Sequence, residues 1–279
     1  MAERDLYRNR DVIPDFDAIM AETEARSRVV AEQVQVEPGL GYGPTPRQSF
    51  DLVFPPDPAP GCPLHMFVHG GYWRAGSKEA HRLVAAPVLA AGGIAALVGY
   101  DLMPATRLAE IVGQVRAAAR HLAELAPGIG ADPARFTVSG HSAGAHLASL
   151  LAAEAPGDDG APDVPDLRGM LLVSGIYDLS GIPGSFLKDE AEMRPEEAAA
   201  WSPLDARHLP GPRRIITRGA EETAPFHDQA VALEALLQRD GQDAELRREA
   251  GHNHLTVVLD LADPDKPLGR RLMELVASS

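Results

Sequence analysis

The chain has 279 residues, 45% of them hydrophobic, which suits one large α/β domain with a full core better than two small domains. With 40 acidic against 26 basic side chains the net charge is -14, so there is no basic footprint for nucleic acid or anionic lipid, and neither is expected as a partner. A single cysteine, Cys62, excludes an intrachain disulfide, no Cys/His spacing would build a zinc site, and no apolar run reaches the length of a signal peptide or a membrane span. A cytoplasmic protein is expected, with Cys62 as a small structural residue.

Residues 1–36 read as a polar opening and a charged helix, "DFDAIMAETEARSRVVAEQV", forming an N-terminal helical extension over a main domain at 37–279. Residues 37–63 contain "EPGLGYGPTP" and "PPDPAPGCP" and are expected to be turns. From about residue 50, strand-like runs alternate with helix-like ones: "SFDLVF", "LHMFVHG", "IAALVGY", "RFTVSG", "GMLLVSG", "RRIITRG" and "AELRREA". Such alternation implies parallel βαβ units, and continuous apolar runs ended by glycine fit strands covered on both faces. Between them, Leu108, Ile111, Val112, Val115 and Ala119 recur at helical spacing as a core stripe. The alternation is interrupted at about 180–212 by "DLSGIPGSF", "LKDEAEMRPEEAAAW" and "SPLDARHLPGP". A connection of that length predicts a small cap over the active site that touches substrate, with the charge run "KDEAEMRPEE" as a solvated face.

Two stretches carry the chemistry. In "FTVSGHSAGAHLASLL" an apolar strand runs through Gly140-His141-Ser142-Ala143-Gly144 directly into a helix, which is a G-x-S-x-G nucleophile elbow in its strand-turn-helix setting. Ser142 is the candidate nucleophile, at a helix N-terminus that favours developing negative charge. The earlier stretch "HGGYWRAGS", residues 69–77, follows a strand and offers glycines where backbone N–H groups must approach an oxyanion. The expected oxyanion donors are the N–H groups of Gly71, Tyr72 and Ala143, with His69 anchoring the loop. Tyr72 and Trp73 are either packing groups or rings that flank an apolar or aromatic acyl substrate. His146, one turn beyond Ser142, is expected to satisfy a core hydrogen bond.

"HGGYW" followed by "GHSAG" resembles the arylformamidase (kynurenine formamidase) group of α/β-hydrolases and their bacterial esterase relatives. "YGPTPRQSFDLVFPP", "YDLMPATRLAEIVGQVRAA" and "LLVSGIYDLS" extend the resemblance over most of the chain. It implies an α/β-hydrolase fold, with a mostly parallel central sheet, helices on both faces and a small cap insertion. It also implies a serine hydrolase without metal or cofactor, acting on a small-molecule carboxylic ester or an aryl formamide such as N-formylkynurenine. The triad should run serine, acid, histidine along the chain. After "RRIITRG", Glu222 is the chosen acid and Glu221 the fallback; Asp178 in "GIYDL" ranks behind both, and the two glutamates could equally be helix-start charges. In "REAGHNHLTVV" the family pattern of polar residue, histidine and apolar or aromatic residue matches at His254, so the resemblance implies His254 as general base, leaving His252 on the surface and Leu255 at the pocket wall. His254 would take the Ser142 proton, Glu222 would hold the imidazole tautomer, and an acyl-enzyme would form and be hydrolysed. A slow or non-catalytic binding protein and an acyltransferase on the same scaffold are the alternatives, and a homodimer is left open.

Overall fold

A computed structural model describes residues 5–279. Helix α1 (Phe16–Gln33) is followed by β1 (Gln35–Gly41), β2 (Ser49–Phe54) and β3 (Cys62–Val68). Then come α2 (Ala85–Ala90), β4 (Ile94–Val98), α3 (Leu108–Leu125), β5 (Ala131–His141) and α4 (Ala143–Ser149). A two-residue strand, β6 (Ala153–Glu154), precedes β7 (Gly169–Val173), α5 (Pro195–Trp201) and the equally short β8 (Arg207–His208). The chain closes with β9 (Arg213–Gly219), α6 (Ala224–Arg239), β10 (Ala244–Glu249), α7 (Thr256–Leu261) and α8 (Pro267–Ala277).

Eight strands form one sheet in the order β1-β2-β4-β3-β5-β7-β9-β10. The strands from β4 to β10 in that order are parallel, and β2 and β1 join antiparallel at one edge. Side-chain alternation along the strands divides the core in two. Leu64, Met66 and Val68 of β3 and Ile94, Ala96 and Val98 of β4 pack on the face covered by α3, α4 and α6. Phe67, Ala95 and Leu97 point to the other face, with Val88, Val257, Leu268 and Leu272 of α2, α7 and α8. Because both faces are covered, every residue of β2, β3 and β4 is buried, which is why these strands read as mainly apolar runs. His65 is the polar exception within β3: its ring nitrogens bond Thr137 Oγ1 at 2.8 Å and Ser139 Oγ at 2.7 Å, and burial pushes its pKa down to about 3.

Three expectations need correction. Residues 37–41, read as turn, continue an edge strand, where Pro38 needs no ladder N–H and Gly39, at φ 69°, creates the irregularity between Glu37 and Leu40. The run "KDEAEMRPEE" is not simply a solvated face. Ala191 and Met193 are buried, and Glu197 accepts the Leu108 N–H at 2.8 Å, satisfying an orphan donor at the start of α3 while pairing with Arg107. The N-terminal segment is stitched into the domain as much as it lies over it. Thr223 Oγ1 donates to the Leu6 carbonyl at 2.6 Å, Gln229 Nε2 donates to the Tyr7 hydroxyl at 2.9 Å, and Ser27 on α1 donates to the Ala80 carbonyl at 2.8 Å. Among the described residues, no helix is long and apolar enough to cross a membrane.

Candidate active site

The C-terminal ends of the parallel strands bring Ser142, Glu222 and His254 together at one place, as open α/β sheets do. The elbow after β5 puts Ser142 at φ 56°, ψ -121°, a conformation an L residue adopts only under constraint. Its N–H is held by the Val173 carbonyl at 2.9 Å. The flanking glycines are required by space: a Cβ on Gly140 would lie 2.3 Å from the Gly144 carbonyl oxygen, and one on Gly144 would lie 2.0 Å from that of Val68.

His254 Nε2 lies 2.9 Å from Ser142 Oγ, and His254 Nδ1 lies 3.0 Å from Glu222 Oε2. Ser142 is 2% exposed and His254 3%, and the Glu222 side chain is fully covered, so the three groups interact with little screening by water. The other carboxylate oxygen, Glu222 Oε1, accepts from Ser174 Oγ at 2.5 Å and from the Gly219 N–H at 2.6 Å. Glu221 is exposed at the same turn, with its N–H on the His252 carbonyl at 2.9 Å, so the alternative acid does not reach the imidazole. Asp178 is also elsewhere: its Oδ1 accepts the Ser180 N–H at 2.8 Å in a local turn. His252 is only partly exposed and pairs with Asp260 at 3.2 Å.

Several positioning groups were not singled out in the sequence. Ser174, at φ 53°, follows β7 and aims its hydroxyl at Glu222. His141 Nε2–H donates to the His254 carbonyl at 2.8 Å, tying the elbow to the histidine loop; burial, then the neighbouring His254, lowers its pKa well below the ordinary value, so it stays neutral. Asn253 supplies the polar position before His254. Its Oδ1 accepts the Leu255 and Thr256 N–H groups at 2.9 and 3.0 Å, and its own N–H donates to Thr256 Oγ1 at 2.9 Å, a reciprocal cap that starts α7. Phe226 packs against the His254 ring with centroids 4.3 Å apart. The only signal for these residues was their position at strand ends, beside the motifs.

The loop after β3 approaches Ser142 from the other side. A Cβ on Gly70 would lie 2.9 Å from the His141 carbonyl oxygen and 3.1 Å from Ser142 Cβ, so this glycine permits the close approach. Gly71 serves the turn: its φ is 117° and a Cβ would lie 2.2 Å from the Ala75 carbonyl oxygen. Among the described residues, the amides of Gly70, Gly71 and Tyr72 donate to no protein acceptor. His69 holds the loop from behind: its Nδ1–H donates to the Gly70 carbonyl at 2.7 Å, its ring stacks on Tyr100, and burial pushes its pKa down to about 3.

The two aromatic residues have separate fates. Tyr72 lines the cavity, and its hydroxyl donates to the Tyr7 carbonyl and accepts from Asn9 Nδ2. Trp73 does not flank substrate; it is fully buried, and its Nε1–H donates to His146 Nδ1 at 3.1 Å. That bond makes His146 Nε2 the protonated nitrogen, which donates to the Trp201 carbonyl at 2.9 Å and fastens α4 to α5. The cavity above Ser142 has a volume of about 360 Å³. Phe186 and Glu190 of the 180–212 insertion contribute to its wall, but so do Arg8, Asn9, Phe16 and Met20 of the N-terminal segment.

Comparison with known proteins places this geometry in context. A family model described as the α/β-hydrolase fold matches residues 65–258. Kynurenine formamidase of Danio rerio is 28% identical over 275 residues, spanning 96% of this chain and 90% of that one. Carboxylesterase NlhH of Mycobacterium tuberculosis is 31% identical over 251 residues, 80% of this chain and 76% of its own length. Among solved structures, a Silicibacter sp. TM1040 protein described as a candidate thioesterase superposes with a TM-score of 0.80 at 26% identity, covering 98% of both chains.

Proposed function

The chain belongs to the α/β-hydrolase fold family, and we propose that it is a serine hydrolase that cleaves a small carboxylic ester or aryl formamide through an acyl-enzyme. The observation that carries this reading is the continuous hydrogen-bond line from Ser142 Oγ through His254 to Glu222, closed from solvent and opening on a cavity. Glu222, acceptor-only as a carboxylate, keeps the proton of His254 on Nδ1, so Nε2 is free to accept the Ser142 proton as Oγ attacks the carbonyl. The developing oxyanion is received by the N–H groups of Gly71, Tyr72 and Ala143. The imidazolium then protonates the leaving alcohol or arylamine, and water repeats the sequence on the acyl-enzyme with His254 again as base.

The kynurenine formamidase and carboxylesterase relatives bracket the two substrate classes, and the aromatic cavity wall supports an aryl group on one side of the scissile bond. The single, buried, unpaired Cys62 supports a reducing, cytoplasmic location. The test is hydrolysis of N-formylkynurenine beside short and medium-chain p-nitrophenyl esters by the wild type and Ser142→Ala, with a fluorophosphonate label on the serine. Turnover abolished in the alanine variant, with labelling of the wild type alone, is expected. Labelling without turnover of any substrate would point to a binding protein, and product formed with an added alcohol in preference to water would point to an acyltransferase.

A further inference from the structure

Although the chain carries a net charge of -14, the described residues that line the cavity over Ser142 include three arginines, Arg8, Arg10 and Arg74, and one acid, Glu190. The three are not equivalent. Arg10 is held by both oxygens of Asp17 and its charged end is largely in water, where such a pair has little effect beyond itself. Arg8 lies 3.8 Å from Asp11 and covers the Phe186 ring, and it too is largely exposed. Arg74 differs in placement and in satisfaction. It sits two residues after Tyr72 on the loop that faces Ser142, and its backbone N–H donates to the Gly71 carbonyl at 3.1 Å. The turn therefore sets its main chain beside the reacting centre, and the residue lines the cavity. Among the described residues its carboxylate partner is Glu190, which pairs with Nη2, while its Nε is buried without an acceptor.

A guanidinium with one side nitrogen engaged and the other unpaired is an incomplete fork. A carboxylate that approached along the Nε and Nη2 edge would make two parallel charge-assisted hydrogen bonds where Glu190 leaves Nε unmet. Glu190 is 41% exposed on the cap insertion, so it can yield its place and swing into water without leaving a buried charge. We propose that Arg74 is a specificity-determining residue that binds a carboxylate carried by the substrate, with Glu190 as the placeholder displaced on binding. This rests on the hydrolase reading and narrows it to anionic esters or formamides, in which the carboxylate lies on the part of the molecule next to the oxyanion loop.

The experiment compares matched substrates: formanilide with 2-formamidobenzoate, and phenyl acetate with 2-acetoxybenzoate, for the wild type, Arg74→Gln, Arg74→Lys and Glu190→Gln. The quantity read is the ratio of kcat/KM for the charged member to that for the neutral member, in which intrinsic reactivity cancels between variants. Arg74→Gln is expected to lower the ratio by about 10- to 100-fold, mostly through KM, with Arg74→Lys intermediate because it keeps the charge and loses the fork. Glu190→Gln is expected to hold or raise the ratio, since it removes the competitor. An unchanged ratio in Arg74→Gln would overturn the proposal. So would equal losses in Arg74→Gln and Glu190→Gln, which would mean that only the ion pair between loop and cap matters. Turnover of neither pair by the wild type would remove the proposal together with the hydrolase reading, whereas turnover of both pairs without discrimination removes the proposal alone.

Discussion

Replacing Glu222 by glutamine changes one oxygen to an NH2 group, yet the surrounding donors make that change severe. Oε1 of Glu222 receives Ser174 Oγ–H and the Gly219 N–H at 2.5 and 2.6 Å, so the glutamine must keep its carbonyl oxygen there. Its NH2 group then occupies the position 3.0 Å from His254 Nδ1, and two donors cannot face each other. His254 is driven to the tautomer with its proton on Nε2, which points at Ser142 and cannot accept the serine proton. Loss of the correct tautomer costs about 10⁴ in kcat, or roughly 5.4 kcal/mol of transition-state stabilisation at 1.36 kcal/mol per tenfold. The shape is conserved and both Oε1 bonds survive, so thermal stability should move little. The assay is kcat on a p-nitrophenyl ester for Glu222→Gln and Glu221→Gln, each with a melting curve. Glu221 is exposed and should tolerate the change. A Glu222→Gln enzyme that retained a tenth of the wild-type kcat would refute the reasoning.

Other outcomes follow from the same contacts. Gly71→Ala places a Cβ 2.2 Å from the Ala75 carbonyl oxygen at φ 117°, so the loop must shift and kcat should fall about 10²- to 10³-fold; a fully active variant would detach this loop from oxyanion binding. Asp51 is fully buried between Lys78 Nζ at 3.1 Å and Arg82 Nε at 2.8 Å. Asp51→Ala leaves two cations facing each other and should cost roughly 3–5 kcal/mol, a fall in Tm on the order of 10 °C in a calorimetric scan. The pH dependence of stability has a definite sign: burial holds His65 and His69 at about 3 and His146 at about 4, below the ordinary 6.5 of the unfolded chain. Between 6.5 and about 4 the unfolded state binds more protons, so stability is complete above 6.5 and drops with acid, by up to about 1.4 kcal/mol per pH unit for each histidine. Urea midpoints at pH 7.5 and 5 measure this, and equal midpoints would contradict it.

The strands and the elbow were legible because their signals are local. Apolar runs ended by glycine marked β3, β4, β5, β7 and β9, and the small residues around Ser142 reflect contacts within the turn itself or with the next strand end. Residues 37–41 misled because Pro38 and Gly39 carry turn chemistry that an edge strand tolerates. Trp73 was ambiguous because an aromatic residue beside a site reads alike whether its ring faces the cavity or the core. Only its bond to His146, itself tied to Trp201 in the insertion, places it inside.

What the sequence determined by itself was the order of elements and the kinds of side chain at each strand end, since both depend on near neighbours and on the 2.0 and 3.6 residue periods of the backbone. Tertiary structure decided which of two adjacent glutamates faces the imidazole, that Ser174 braces that glutamate and His141 the His254 backbone, and that the N-terminal segment helps to wall the cavity. Those choices join residues far apart in the chain, 112 positions for Ser142 and His254 and 65 for Tyr7 and Tyr72. No local pattern encodes such distances; they are set when the strands pair and the two faces of the sheet are filled.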